Sequence, residues 1–285
     1  MPMSFENYAS LKEKLIYPEL YSIIQSQNET LGIWDLTTTD APSIQVNRLF
    51  ALPTVSAVDC DTVITATDLS GGPVTYNFDT FQETVPLCWK TKVGANGGGT
   101  AEAMILSTML EAAVQKMEAL IIDGGTNFNG LQDLVVGSQT FAKAGAAGGI
   151  EDLDKAIRIT KGGPNKVFVS NGATQGVVLS KMRAASVVNY SQLGDSTFNT
   201  LNYRGTPFVV NENLAAGEVF LATLGGNGVS VVFNEDSGRK LGGIFDVINI
   251  PMALASINEY YRVLFQATQV LRSTQALSKI TGFTA

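Results

Sequence analysis

Histidine is absent from all 285 residues. That excludes imidazole general bases, Ser-His-Asp triads and the commonest zinc ligand together. Cysteine is nearly absent too. Cys60 and Cys88 are the only two, too few for a zinc site or a disulfide framework, and they read as half-buried free thiols. Charge is sparse, at 16% of residues, and the formal net charge is −7. A general nucleic-acid binder would show a basic face instead. No uncharged apolar stretch approaches the ~18–20 residues that span a bilayer. The N-terminus, MPMSFENYASLKEKL, lacks the basic start and apolar run of a secretory signal. The expectation is a protein made in a cytoplasm and soluble there, with no membrane contact.

What is present is a chain that is 45% hydrophobic, ordered and long enough for a sizeable core. Residues 4–30 open with Phe5, Tyr8, Leu11, Leu15 and Ile16 at helical spacing, interrupted at Pro18. Such an arm packs on its own domain or reaches across to a partner. From residue 37 to about 93 the texture is strand-like. Residues 43–55 (SIQVNRLFALPTV) read as a strand ended by Pro53. Residues 61–67 (DTVITAT) and 74–81 (VTYNFDTF) flank a turn at 68–73, where Gly71, Gly72 and Pro73 suit a hairpin tip. Val74, Tyr76 and Phe78 alternate with polar residues, the period of a strand with one apolar face. A further strand follows at 84–93. A hairpin this long is marginal alone in water, so its own sheet or a neighbouring subunit must cover it.

A Gly-rich linker, residues 94–100, leads into the strongest helix of the chain, 101–123, with Thr100 as its N-cap. Leu106, Met109, Leu110, Ala113, Met117, Leu120 and Ile121 form one apolar stripe, opposite Glu111, Gln115 and Glu118. At ~1.5 Å per residue it is roughly 33 Å long, a structural axis. A helix at 151–160 and a turn followed by a helix within 171–184 alternate with strands at 166–170, 206–211, 217–224 and 228–234, a mixed α/β region. Residues 260–265 favour a strand, and the stretch after them admits strand or helix.

Each plausible chemistry fails on named residues. The stretch LIIDGGTNFNGLQDL (120–134) has the glycine spacing of a phosphate loop at Gly125 and Gly130, but Leu131 and Gln132 stand where Lys and Ser or Thr are needed. Read as a calcium loop, it offers Asn127 and Asn129 with Gly125 and Val136 at the end positions. The glycine clusters at 97–99, 145–149 and 225–228 lack the dinucleotide fingerprint. Asp59 and Asp61 flank Cys60, Glu151, Asp152 and Asp154 crowd a helix start, and Glu235, Asp236, Arg239 and Lys240 surround a turn. No catalytic, cofactor-binding or metal site emerges, and the expectation is a protein that is not an enzyme.

The order of arm, long hairpin, Gly-rich linker, long helix and then Asp123-Gly124-Gly125-Thr126 with Gly130-Leu131 resembles the major capsid proteins of tailed bacteriophages, the HK97-like fold. Residues 166–183 (KVFVSNGATQGVVLSKMR) are similar to that family's strand–turn–helix, and 201–214 (LNYRGTPFVVNENL) to its "l-x-G-x-P-v-v" strand. The resemblance covers nearly the whole chain, through the order of individually degenerate motifs. It implies an α+β fold: an N-terminal arm (1–35), an E-loop hairpin with flanking P-domain strands (36–98), the P-domain spine helix and loop (99–135), a mixed α/β A-domain (136–257) and a P-domain return strand (258–285). It also implies self-assembly into hexamers, pentamers and a whole icosahedral or prolate capsid enclosing double-stranded DNA. The partners would be other copies, a portal, scaffolding or decoration proteins, and DNA held by weak non-specific contact. The location would be the virion, assembled in the host cytoplasm, with no cofactor. Some members cross-link a hairpin lysine to a neighbour's asparagine, but Lys90 and Lys92 lie at the hairpin's base. The alternatives are an encapsulin-like compartment shell, which would need a cargo-binding inner groove, or a soluble α/β ligand-binding protein or enzyme using a Gly-rich loop.

Overall fold

The computed structural model describes residues 29–49, 71–88, 98–142, 148–192, 199–234, 246–250 and 258–283. Most of the arm, Cys60, Lys90, Lys92 and the charged turn at 235–240 lie outside these residues, and Cys88 is described only through its backbone.

Among the described residues there are three sheets. The chain enters through a short helix α1 (Glu29–Ile33) and strands β1 (Leu36–Thr39), β2 (Ser43–Leu49), β3 (Gly71–Asn77) and β4 (Asp79–Cys88). The long helix α2 (Gly98–Asp123) follows, then α3 (Leu131–Leu134), β5 (Thr140–Ala142), α4 (Ile150–Ile159), β6 (Lys166–Ser170) and α5 (Gly172–Ala184). Strands complete the fold: β7 (Asn189–Gln192), β8 (Asn199–Tyr203), β9 (Thr206–Val210), β10 (Glu218–Thr223), β11 (Val229–Asn234), β12 (Asp246–Ile250), β13 (Asn258–Leu271) and β14 (Leu277–Thr281).

The seven-stranded sheet runs β5-β14-β10-β6-β9-β8-β7. Its inner strands are buried on both faces, β6 as KVFVS and β10 as EVFLAT. That explains why they read as unbroken apolar runs and not as alternation. One face, with Phe168, Phe208, Val219, Leu221 and Ile280, packs under Leu153 and Ala156 of α4 and Val178 and Met182 of α5. The other, with Val167, Val169, Val209, Phe220 and Leu277, joins the stripe of α2 in a larger core. Asn171 caps α5 by accepting the N–H of Thr174 at 2.7 Å, as its position before the helix predicts.

The five-stranded sheet is centred on β13. Strand β4 pairs along one side of it, and β11 and β12 share the other, with β1 beyond β11. Helix α2 lies across β4 and β13. Met109, Leu110, Ala113, Met117, Leu120 and Ile121 are buried, and Val114 and Ile122 widen the stripe. The side chain of Leu106 lies outside the description. Helix α2 starts at Gly98, so Thr100 sits inside its first turn and is not the cap.

Two expectations change. The tip placed at 68–73 is wrong: Gly71, Gly72 and Pro73 lie in β3, opposite Leu49, Arg48 and Asn47 of β2. The ribbon is β2–β3, joined through residues 50–70. Pro73 is tolerated because each strand of a two-stranded ribbon has an open edge without ladder bonds. The expected single returning strand is two, since β13 ends at Leu271 and, after a 3₁₀ turn (Thr274–Ala276), β14 enters the other sheet beside β10.

Candidate functional site: the joint after the long helix

The loop at 120–134 is where the ribbon, α2 and both large sheets meet. Gly124 ends α2 in the left-handed region, at φ +78°, and donates to the carbonyl of Leu120 at 2.9 Å. This is the helix stop that glycine favours. Gly125 donates to the carbonyl of Phe128 at 2.6 Å. Gly130 must also be glycine for lack of space: a Cβ there would meet the backbone N of Gly124 and the carbonyl of Ile122. Phe128 is fully buried, its ring edge-on to Phe81 at 6.4 Å.

Two carboxylates occupy the donors that a bound anion would use. Asp79, the first residue of β4, accepts the N–H of Asn127 at 2.8 Å, its side-chain amide at 2.9 Å and the N–H of Phe128 at 3.2 Å. Asp133 accepts the N–H of Gly130 at 3.2 Å. A phosphate would find negative charge already on the loop's amides, so the phosphate-loop reading fails on geometry as well as on residue type. No group of three or more His, Cys, Asp or Glu able to hold a metal ion is found among the described residues.

The joint is tied to everything around it. Arg48 of β2 donates from its Nη2 to the carbonyl of Leu134 at 3.3 Å. On the far side, Lys279 of β14 meets Glu218 of β10 at 2.7 Å and donates to Oε1 of Gln132 at 2.7 Å, while the Gln132 amide donates to Glu218 at 2.8 Å. Residues of α3 are thus fastened both to the ribbon and to the seven-stranded sheet. Neither Asp79 nor the Gln132–Glu218–Lys279 set carries a motif in sequence. In sequence Asp79 reads only as a polar position within the strand 74–81, and there was no signal for the second.

Two of the acidic residues at the start of α4 have structural employment. Asp152 accepts the N–H of Gly149 at 2.8 Å at the start of α4. Asp154 accepts from the Tyr203 hydroxyl at 2.7 Å and pairs with Arg204 at 3.0 Å. Burial, aided by the hydrogen bond to Asp154, pushes the Tyr203 phenol up to about 12. Lys166 donates to the terminal carbonyls of α4, at Ile157 and Thr160. Burial, with Lys161 nearby, lowers its pKa from the ordinary lysine value. An open groove of about 250 Å³ lies between α2 and the five-stranded sheet, lined by Phe81, Ala112, Lys116, Val263 and Phe265 among others. It holds no reactive constellation. No helix among the described residues is long and apolar enough to cross a membrane.

No protein-family model matches the sequence, and no curated protein matches it either. Solved structures do. The SrpI encapsulin from Synechococcus elongatus PCC 7942 superposes with TM-score 0.71 at 16% identity, over 89% of this chain and 86% of that one. The capsid of a native GTA particle gives 0.65 at 14%, over 92% and 91%. The capsid of cyanophage A-1(L) gives 0.60 at 13%, over 90% and 93%. The fold is therefore HK97-like, shared with shell proteins of phages, GTA particles and encapsulins, at identities that establish fold alone.

Proposed function

We propose that this chain is a shell subunit, self-assembling and non-catalytic, and specifically the major capsid protein of a phage-type head built from hexamers and pentamers around double-stranded DNA. The likeness to shell proteins along about nine-tenths of the chain carries the reading. The joint supports it, because its amides and acids are consumed in holding elements together. In this reading residues 1–35 are the arm, β2–β3 with residues 50–70 the E-loop, and α2 with the five-stranded sheet the P-domain. The seven-stranded sheet with α4 and α5 is the A-domain, to which β14 returns. Partners are other copies first, then a portal and scaffolding or decoration proteins. Residues 50–70 contain no lysine, so a cross-link from the ribbon's far end is not expected.

Electron microscopy of the purified protein should show closed shells or capsomers; a protein that stays monomeric at high concentration overturns the reading. Replacing residues 52–68 by a short Gly-Ser linker should leave the subunit folded and abolish assembly. The cut stops short of β3 because Tyr76 is core.

The encapsulin likeness favours a second reading, a compartment shell, for which the groove between α2 and the five-stranded sheet is where a cargo segment would be sought. Particles isolated from the source cell decide: nuclease-protected DNA of uniform length supports the head, and a stoichiometric protein cargo without DNA supports the compartment.

A further inference from the structure

The described root of the ribbon does not stand free. Ile44, Val46 and Val74 are half-buried against the main core, and Tyr76 is 2% exposed. Apolar contact of this kind presses the root onto the body, but it is non-directional and tolerates tilt. Direction comes from hydrogen bonds, and those at the root converge on the joint and the end of β13. The Tyr76 hydroxyl donates to the carbonyl of Leu271 at 2.9 Å and accepts its N–H at 3.3 Å. Asp79, two residues after β3, holds Asn127 and Phe128 by three bonds, charge-assisted because the acceptor is a carboxylate. Arg48, on the other strand, reaches Leu134. The body they grip is itself fastened to the seven-stranded sheet by Gln132, Glu218 and Lys279.

We infer that Asp79 and Tyr76 are positioning residues: they fix the angle at which the β2–β3 ribbon leaves the subunit, and so the geometry with which its far end meets a second copy of this chain. The second half rests on the shell reading. The seven paired residues at ~3.4 Å each span roughly 24 Å, and Arg48, paired with Gly72 near the outer end, is tied to Leu134, so a 10° tilt about the Tyr76 end would move the outer end by about 4 Å and break that bond. That is enough to break one set of side-chain contacts and allow another. A subunit whose ribbon angle wanders should therefore still assemble, but into shells of more than one curvature.

Hydrogen exchange on the isolated subunit and microscopy of its assemblies test the two halves separately, with Asp79→Ala, Asp79→Asn and Tyr76→Phe. In the alanine and phenylalanine variants, exchange at residues 43–49 and 71–77 should quicken at least tenfold. Asp79→Asn, which keeps an acceptor but loses the charge, should give a smaller change. Amides of β6 and β10 should stay at the unmodified rate, which verifies folding. Particle diameters should spread from one value to several. Unchanged exchange in the ribbon overturns the anchor. Faster exchange with a single particle diameter overturns its role in assembly. If the unmodified chain forms no particles, the shell reading and the assembly half fall together, and exchange alone decides the anchor.

Discussion

Strand β6 buries four of its five residues; strand β4, twice as long, has no fully buried residue among those whose side chains are described. The two strands belong to sheets built on the same core, and their compositions follow their coverage: β6 is an apolar run, while β4 carries Thr80, Gln82, Glu83 and Thr84. Helices α4 and α5 close one face of the seven-stranded sheet and the α2 core closes the other. On one face of strand β4, half-buried Phe81 and Val85 flank exposed Glu83, and on the other Gln82 and Thr84 are exposed. It has a body on one side and nothing of its own chain described on the other. An antiparallel sheet can live that way in water. Among the described residues, the inner strands of the seven-stranded region are covered on both faces, whereas the ribbon and β4 are covered on one. On the proposed shell reading, that division separates what one chain completes by itself from what a neighbour completes.

The largest test compares aromatic residues across the divide. Phe208 is fully buried and stacks on Phe168 at 4.5 Å. Truncating Phe208 to Ala should cost about 3–5 kcal/mol in denaturant unfolding. Phe81 stacks on Phe265 at 4.9 Å but is only half-buried, so Phe81→Ala should cost about 1–2 kcal/mol. Equal losses would mean that the β4 side is as complete a core as the other, and the contrast would collapse.

Next comes the joint between the two regions. Gly130→Ala must push a methyl group into backbone atoms of Gly124 and Ile122, neither of which can rotate away. A loss of about 2–3 kcal/mol is expected, with the exchange of α2's last turn quickened ahead of the seven-stranded sheet. If both regions loosen equally, the joint is part of one cooperative unit and not a seam.

Sequence made single elements legible and left their partners hidden. The stripe of α2 and the runs of β6, β10 and β11 announce themselves because burial writes periodicity locally. Pairing is not local. Gly71-Gly72-Pro73 has turn chemistry, and nothing nearby says that it lies opposite Leu49, Arg48 and Asn47 in a ribbon. The fate of residues 266–281 was similarly undecided, because a strand that leaves one sheet for another shows only as a polar interruption, Arg272-Ser273. At the joint, the pair Gly124-Gly125 was readable as a helix stop, with either glycine free to take the left-handed conformation. Asp79 was not, since its partners lie 48 and 49 residues away and a carboxylate that accepts backbone amides leaves no spacing rule.

The seven-stranded region can be probed by pH on its outer side. Tyr203 keeps its proton in the folded state to about 12, against an unfolded value of 10.0. Below pH 10 both states are protonated and its contribution is fully present. Between 10 and 12 the unfolded chain releases the proton first, so stability should fall, by about 1 kcal/mol after solvent screening at this outer edge. Lys166 works in the opposite sense. Its folded pKa is lowered, so stability rises with pH just below 10.5. The measurement is therefore the difference between the unmodified chain and Tyr203→Phe, in which the lysine cancels. A difference that stays flat from pH 9 to 12 would show that Tyr203 is open to water and that this edge of the sheet is less closed than its burial indicates.

The smallest effect asks whether the seven-stranded region is completed by its own chain everywhere. Gly176 lies inside α5, and a Cβ built on it meets no atom within 4 Å. Glycine inside a helix costs roughly 0.5–1 kcal/mol relative to alanine, so Gly176→Ala should raise the subunit's stability by about that amount. Its exposed backbone could also be a place where another copy approaches closely, which an added methyl group would obstruct. The two explanations separate in one experiment. A more stable monomer that assembles normally means that this face of α5 is solvent in the shell, as the contrast with β4 requires. A more stable monomer that no longer assembles would place a second interface on the region that its own chain otherwise completes.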